Sequence, residues 1–265
     1  MAANFQFSVF TKPWRMPLAD LARHVRHLGF EAVELPVRPG FQVEPARVAT
    51  DLPLAARVLA DSGVRIASIA AAVEEPIVAA CAEAGIPVLR IMVPIEADGY
   101  MATEARTRRR LDGWLPLLER YGVTVGIQNH CDRFVCHAMG LRRLLEGYDP
   151  RYVAAIWDAA HNALNGEDPE MALDIIWPHL CMVNLKNAYW RRTSGPEAEQ
   201  AAWEAYWTSG RHGLASWPRV AAELTRRSYA GTICLPAEYA DEPAVDRLIV
   251  EDLAYARSLF GALHG

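Results

Sequence analysis

The stretch "YVAAIWDAAHN", residues 152–162, decides how the rest of the chain is read. An apolar run ends in Asp158, and His161 follows three residues later. A short apolar run rich in β-branched and aromatic residues reads as a buried strand. Asp158 then stands where an acid can cap a following helix. The plain reading is a helix cap with a histidine beside it. The sharper one is a functional pair at the end of a barrel strand. The neighbouring segments choose between them.

Seven further runs of the same kind recur. They are "FQFSVF" (5–10), "AVELPV" (32–37), "VRIASIAA" (64–71), "VLRIMVP" (88–94), "VTVGIQNH" (123–130), "CMVNLKNA" (181–188) and "GTICLPAEY" (231–239). Helical periodicity fills the gaps near 18–28, 51–62, 74–84, 103–121, 138–147, 168–178, 215–228 and 243–263. Gly29, Gly63, Gly85, Gly122 and Gly147 follow helical segments, as C-terminal caps do. Thr103 and Asp241 are expected as N-caps, with Pro243 in a first turn. Eight strands, each followed by a helix, predict one (β/α)8 TIM barrel over residues 1–265. A doubly wound open sheet competes, but no G-x-G-x-x-G follows the first strand.

The bulk numbers agree. A chain of 265 residues with 52% hydrophobic content can bury one large core without staples. A net charge of −5 argues against nucleic acid and anionic membrane as partners. Five cysteines, with no C-x-x-C pair, read as reduced thiols of a cytoplasmic protein. The start "MAANFQFSVF" lacks a signal peptide's basic flank and long apolar stretch. No apolar run approaches the ~20 residues that span a bilayer.

One connection is long. Residues 188–217 contain Trp190, Trp203, Trp207 and Trp217 together with Arg191, Arg192, Arg211 and His212. Such an aromatic segment is expected to fold, as a lid over the barrel mouth or as an interface arm of a homo-oligomer.

Active sites of such barrels lie at the C-terminal strand ends. Polar residues gather there: Glu34 and Arg38 after strand two, Gln128, Asn129 and His130 at strand five, and Asp158 and His161 at strand six. Asn184, Lys186 and Asn187 mark strand seven, and Glu238 marks strand eight. Alternation puts Gln128 with His130, and Asn184 with Lys186, on common faces. Each has a plain reading: a cap for Asp158, a hydrogen-bonded histidine for His130 or His161, a salt-bridged Lys186, a Glu34–Arg38 ion pair. Five strands with polar groups at one end weigh against taking them singly.

These segments resemble the xylose-isomerase-like superfamily of TIM barrels, the sugar phosphate isomerase/epimerase and AP endonuclease family 2 group. "LGFEAVEL" (28–35), "VGIQNH" (125–130), "IWDAAHN" (156–162), "VNLKNA" (183–188) and "GRHGLASWPRVAAELTRRSYAGTICLPAEY" (210–239) carry the likeness, which covers nearly the whole chain. The resemblance implies an isomerase, epimerase or lyase acting on a sugar or polyol by proton abstraction next to a carbonyl. It implies a divalent metal, Mn2+ or Mg2+, at Gln128, Asp158, Asn184 and Glu238. The family places Glu, Asp, His and Glu there. Here two ligands have become amides, and the last acid stands two residues beyond Pro236. Asp158, Glu238, His130 and Lys186 are the expected catalytic groups. Glu34, Arg38, His161, Asn187 and Trp190 are the expected substrate contacts. The alternative is a degenerate, non-catalytic barrel that binds a polyol or serves as a partner subunit. Endonuclease activity fits poorly, since the chain is acidic and lacks the extra ligands of a three-metal site.

Overall fold

Eight parallel strands close into a barrel in the computed structural model, which describes residues 5–262. In chain order these are β1 (Gln6–Phe10), β2 (Ala32–Pro36), β3 (Arg65–Ala70), β4 (Val88–Met92), β5 (Thr124–Gln128), β6 (Val153–Asp158) and β7 (Leu180–Asn184). A separate antiparallel hairpin follows, β8 (Asn187–Arg192) and β9 (Trp203–Thr208), before β10 (Thr232–Pro236) closes the barrel against β1. The single TIM barrel expected from the sequence is the fold observed.

Nine helices are described: α1 (Leu18–His27), α2 (Val48–Asp61), α3 (Glu75–Glu83), α4 (Tyr100–Tyr121), α5 (Ala138–Leu145), α6 (Ala159–Leu164), α7 (Pro169–Ile176), α8 (Trp217–Arg226) and α9 (Val245–Ala262). Each long helix buries one apolar stripe against the strands, as Leu52, Ala55 and Leu59 do on α2. Burial of a leucine side chain contributes roughly 1.5–3 kcal/mol, so this stripe, not propensity, fixes α2. Gly122 ends α4 at φ +65°, where a side chain would be strained.

The barrel interior is apolar below its mouth. Phe10, Ala70, Ile156, Met182 and Cys234 pack there. Gly126 makes room for that layer: a Cβ on it would lie 2.5 Å from Ile156 Cδ1. Polar residues begin one step nearer the C-terminal strand ends. The register aligns Asp158 with Asn184, so β6 and β7 deliver polar side chains to one level.

Several local expectations need correction. The helix near 103 starts at Tyr100, and Thr103 lies inside it, where its hydroxyl accepts from the Glu96 amide. Asp241 stands before a 3-10 turn (Glu242–Ala244) that leads into α9, and its side chain makes no cap bond. Residue 263, included in the expected last helix, lies outside the described residues. The strand expected over 181–188 breaks after Asn184, and Asn187 opens the hairpin. The segment after Asp158 forms its own short helix, α6, which the periodic segments omit although Asp158 reads as a helix cap, and Asp158 does cap it. All five cysteines are free. No described helix is long and apolar enough to cross a membrane.

The long connection is folded as the β8–β9 hairpin. One hairpin face, carrying Ala188, Trp190, Ala205 and Trp207, turns toward α6, where Trp190 Nε1 donates to the Leu164 carbonyl at 2.9 Å. Trp203, near the tip, is 57% exposed, so it walls nothing. Trp217 belongs to α8; it is buried, stacks on Tyr255 and donates to the Lys186 carbonyl. Trp207, at the hairpin base, alone among these four tryptophans lines the cleft described next.

Candidate active site

Two layers of charge occupy the C-terminal end of the barrel. The inner layer is built from strand residues. Glu34 (β2) is fully buried, and its Oε1 accepts from Arg90 Nε (β4) at 2.7 Å and from the Ser68 hydroxyl (β3) at 3.2 Å. Arg90 Nη1 donates to Gln128 Oε1 (β5), and Gln128 Nε2 donates to Asp158 Oδ2 (β6) at 3.0 Å. Asp158 Oδ1 accepts from the amides of Ala160 and His161 at 3.0 and 3.1 Å. Asp158 is therefore both a helix cap and a site residue. Burial would lower the Arg90 pKa, but Glu34 outweighs it and raises it. Burial raises the Asp158 carboxyl to about 6, despite the opposing charge of Lys186.

The Glu34–Arg38 pair that was the plain alternative for these two residues does not form. Arg90 takes Glu34 instead, since both point into the barrel, whereas Arg38 lies past the end of β2. Among the described residues Arg38 makes no ion pair. It lines a second cavity of about 540 Å³ with Arg90, Thr103, Thr107 and Trp114. Burial, and then Arg90, lower its pKa.

The outer layer faces a cleft of about 940 Å³ lined by Lys12, His130, Lys186, Trp207 and Glu238, among others. Lys186 Nζ contacts Glu238 Oε2 at 2.7 Å and lies 3.7 Å from the Trp207 ring centroid. Lys12, just past β1, pairs with the other oxygen of Glu238. Burial would raise the Glu238 carboxyl, yet Lys186 and Lys12 hold it well below the ordinary range. Glu238 is thus a firm anion and a poor proton acceptor.

Two histidines stack beside this pair, with ring centroids 3.9 Å apart. The Cys131 amide donates to His161 Nδ1 at 3.1 Å, so the hydrogen of the neutral His161 ring sits on Nε2. Burial first, then Lys186 and His130, push the His161 pKa well down, so this ring stays neutral. His130 Nδ1 lies 2.8 Å from the Cys131 carbonyl, which can only accept. Its hydrogen is therefore on Nδ1, and Nε2 carries a lone pair. Burial lowers the His130 pKa as well. Phe134 also packs against His130, with centroids 4.5 Å apart.

The structure thus gathers Glu34, Gln128, Asp158 and His161 in an inner group, and His130, Lys186 and Glu238 in an outer one. It does not bring Asn187 or Trp190 to the cleft. Asn187 is a buried clamp: its amide donates to the carbonyls of Gly210 and Ala215, and its Oδ1 accepts from the Ala188 and Ala215 amides. Trp190 is held by α6. Sequence reasoning missed Arg90 and Lys12. A charge inside the apolar run "VLRIMVP", and a lysine just beyond strand one, were the available signals.

A model of the family described as xylose isomerase-like TIM barrel matches residues 22–259. The chain belongs to that family. An inosose dehydratase of Bacillus velezensis is 28% identical over 130 residues, which is 47% of this chain and 43% of that protein. The chain therefore aligns with less than half of that relative's length. Among solved structures, an L-ribulose 3-epimerase superposes with a TM-score of 0.74 at 14% identity, covering 100% of this chain and 96% of that one. A 3-keto-D-glucoside 4-epimerase from E. coli gives 0.73 at 13% identity, covering 96% of this chain and 99% of that one. At such identities the likeness concerns the fold.

The four positions where the resemblance implies a divalent metal do not fit one as folded here. Gln128 Oε1 is engaged by Arg90, and both Asp158 oxygens accept N–H bonds. Glu238 is neutralised by two lysines; Asn184 Oδ1 is buried without a partner, as is Oε2 of Glu34, whose other oxygen is taken by Arg90. Ligand atoms of His130, Cys131 and His161 also lie within 4.8 Å of one another. Both imidazole Nδ1 atoms of that trio are tied to the Cys131 backbone, and burial raises its thiol to about 12.

Proposed function

We propose that this protein is a sugar or polyol isomerase, epimerase or lyase that removes a proton from a carbon next to a carbonyl. The observation that carries the reading is the open Nε2 lone pair of His130 on the same cleft as the Lys186 ammonium. A general base works best when its pKa lies near or below the operating pH, and a developing oxyanion needs a fixed positive charge. His130 and Lys186 meet those two needs.

In this scheme His130 Nε2 takes the proton. The C–H electron pair becomes the carbon–carbon double bond of an enediolate. The carbonyl π pair moves onto oxygen, where Lys186 stabilises it. Lys186 has three N–H donors, of which Glu238 takes one, so a donor remains for substrate. Return of the proton to the other face or the neighbouring carbon gives epimerase or isomerase chemistry. Expulsion of a hydroxyl group as water gives a dehydratase. Glu238 holds Lys186, while Asp158 and His161 position the wall beneath His130. Trp207 offers an apolar face to a sugar ring. The relatives named above, an inosose dehydratase and sugar epimerases, support this reaction class.

The test is solvent exchange. Ketoses, inososes and 3-keto-glycosides are incubated with enzyme in D2O and followed by NMR. Deuterium should appear next to the carbonyl of a substrate, and His130→Ala should slow this by roughly 10²–10⁴-fold. Polyol binding with no exchange or turnover on any of these compounds would instead support the degenerate, non-catalytic barrel.

A further inference from the structure

We infer that the Arg90 guanidinium is a resident cation that makes the barrel centre of this chain metal-independent. The inference rests on the proposed function only for its activity readout. Three carboxylates face the mouth, Glu34, Asp158 and Glu238, and three cations already face them, Arg90, Lys186 and Lys12. Arg38 also lies close enough to feel Glu34 and Glu238, so the carboxylate charge is fully offset before any ion arrives. A divalent cation would add two positive charges to a cluster whose inner half, Glu34, Arg90 and Asp158, is buried.

Hydrogen-bond direction points the same way. Arg90 can only donate, so it fixes Gln128 with its oxygen toward the guanidinium and its NH2 toward Asp158. An amide is the group that can accept from a cation and donate to a carboxylate at once. Glutamate at 128 would set two carboxylates side by side, as a metal site requires; glutamine at 128 suits a guanidinium on one flank and an aspartate on the other. Arg90 is 7% exposed and Glu34 is fully buried, so moving the guanidinium aside to admit an ion would strand a buried carboxylate. Arg90 is therefore a positioning residue. It holds Gln128, and through it Asp158, in the orientation that a bound metal would otherwise impose, and it leaves charge stabilisation to Lys186.

Manganese titration followed by EPR tests this on the wild type, on Gln128→Glu/Asn184→His, and on the triple variant that adds Arg90→Ala. Wild type and double variant should leave the free-ion spectrum unchanged, because Arg90 remains. The triple variant should bind at least about tenfold more tightly, since a repelling charge is gone and carboxylate lone pairs are freed. Exchange by the wild type should persist in excess EDTA. A stoichiometric Mn2+ site in the wild type, loss of exchange in EDTA, or binding by the double variant as tight as by the triple would overturn the inference. Circular dichroism reports whether the triple variant folds; if it does not, the wild-type and double-variant titrations still decide. An absence of exchange with every compound counts against the proposed function, while the metal titration still reads Arg90.

Discussion

Arg90 and Lys186 each meet a carboxylate at 2.7 Å, and each is 7% exposed. Their partners differ: Glu34 is 0% exposed and Glu238 is 24% exposed. Around Arg90 the groups are strand side chains whose bonds are directed at one another. Around Lys186 the groups border a cleft, with a tryptophan face, a histidine lone pair and a spare ammonium donor. Equal distances therefore serve unequal ends. The inner pair fixes geometry, and the outer pair has capacity left for a substrate.

Breaking the inner pair should have the larger effect on the fold. Arg90→Met leaves Glu34 buried and uncompensated, a loss of about 3–5 kcal/mol. Urea unfolding should show it, and Glu34→Gln in the same chain should recover part of the loss. Full additivity of the two changes would mean that the pair is not coupled.

Breaking the outer pair should strike activity instead. Lys186→Met should lower kcat by roughly 10²–10³-fold, the scale of losing one oxyanion-stabilising group, with the unfolding midpoint little changed. A large loss of stability would place Lys186 with the inner layer.

Asp158→Asn sharpens the boundary between the layers. The cap survives, since an amide oxygen can accept from Ala160 and His161. The new NH2 then faces the NH2 of Gln128, which cannot flip because Arg90 holds its oxygen. Two donors in contact should cost about 1–3 kcal/mol. Thermal unfolding at neutral pH measures it, and an unshifted midpoint would show that Gln128 is free to turn.

The smallest effect belongs to the cleft wall. Trp207→Phe keeps an aromatic face over Lys186 with a weaker cation–π contact, worth about 0.5–1 kcal/mol. A rise in KM with kcat nearly unchanged is expected.

How much of this was legible in the sequence depended on which signal each residue carried. The eight strands were read from apolar runs bounded by glycine and polar breaks, and all eight formed. Asp158, His130, Lys186 and Glu238 were found because they end such runs. Arg90 was missed because it sits inside one, where the same pattern argues for core. Asn187 and Trp190 were misplaced because the break after Asn184 leaves no mark in "VNLKNAYW"; the hairpin begins within what reads as one strand. The hairpin's docking on α6 depends on contacts far apart in sequence, such as Trp190 to Leu164, which periodicity cannot report.

The pH profile of solvent exchange tests the central claim most directly, that the outer layer does the chemistry with His130 as base. His130 must be neutral to accept a proton, and burial lowers its pKa below the ordinary 6.5. Wild-type exchange should therefore be flat around neutrality and fall only as pH drops below about 6.5. His130→Ala should be slow and should lose that acid limb. An unchanged rate and an unchanged limb in His130→Ala would contradict the account.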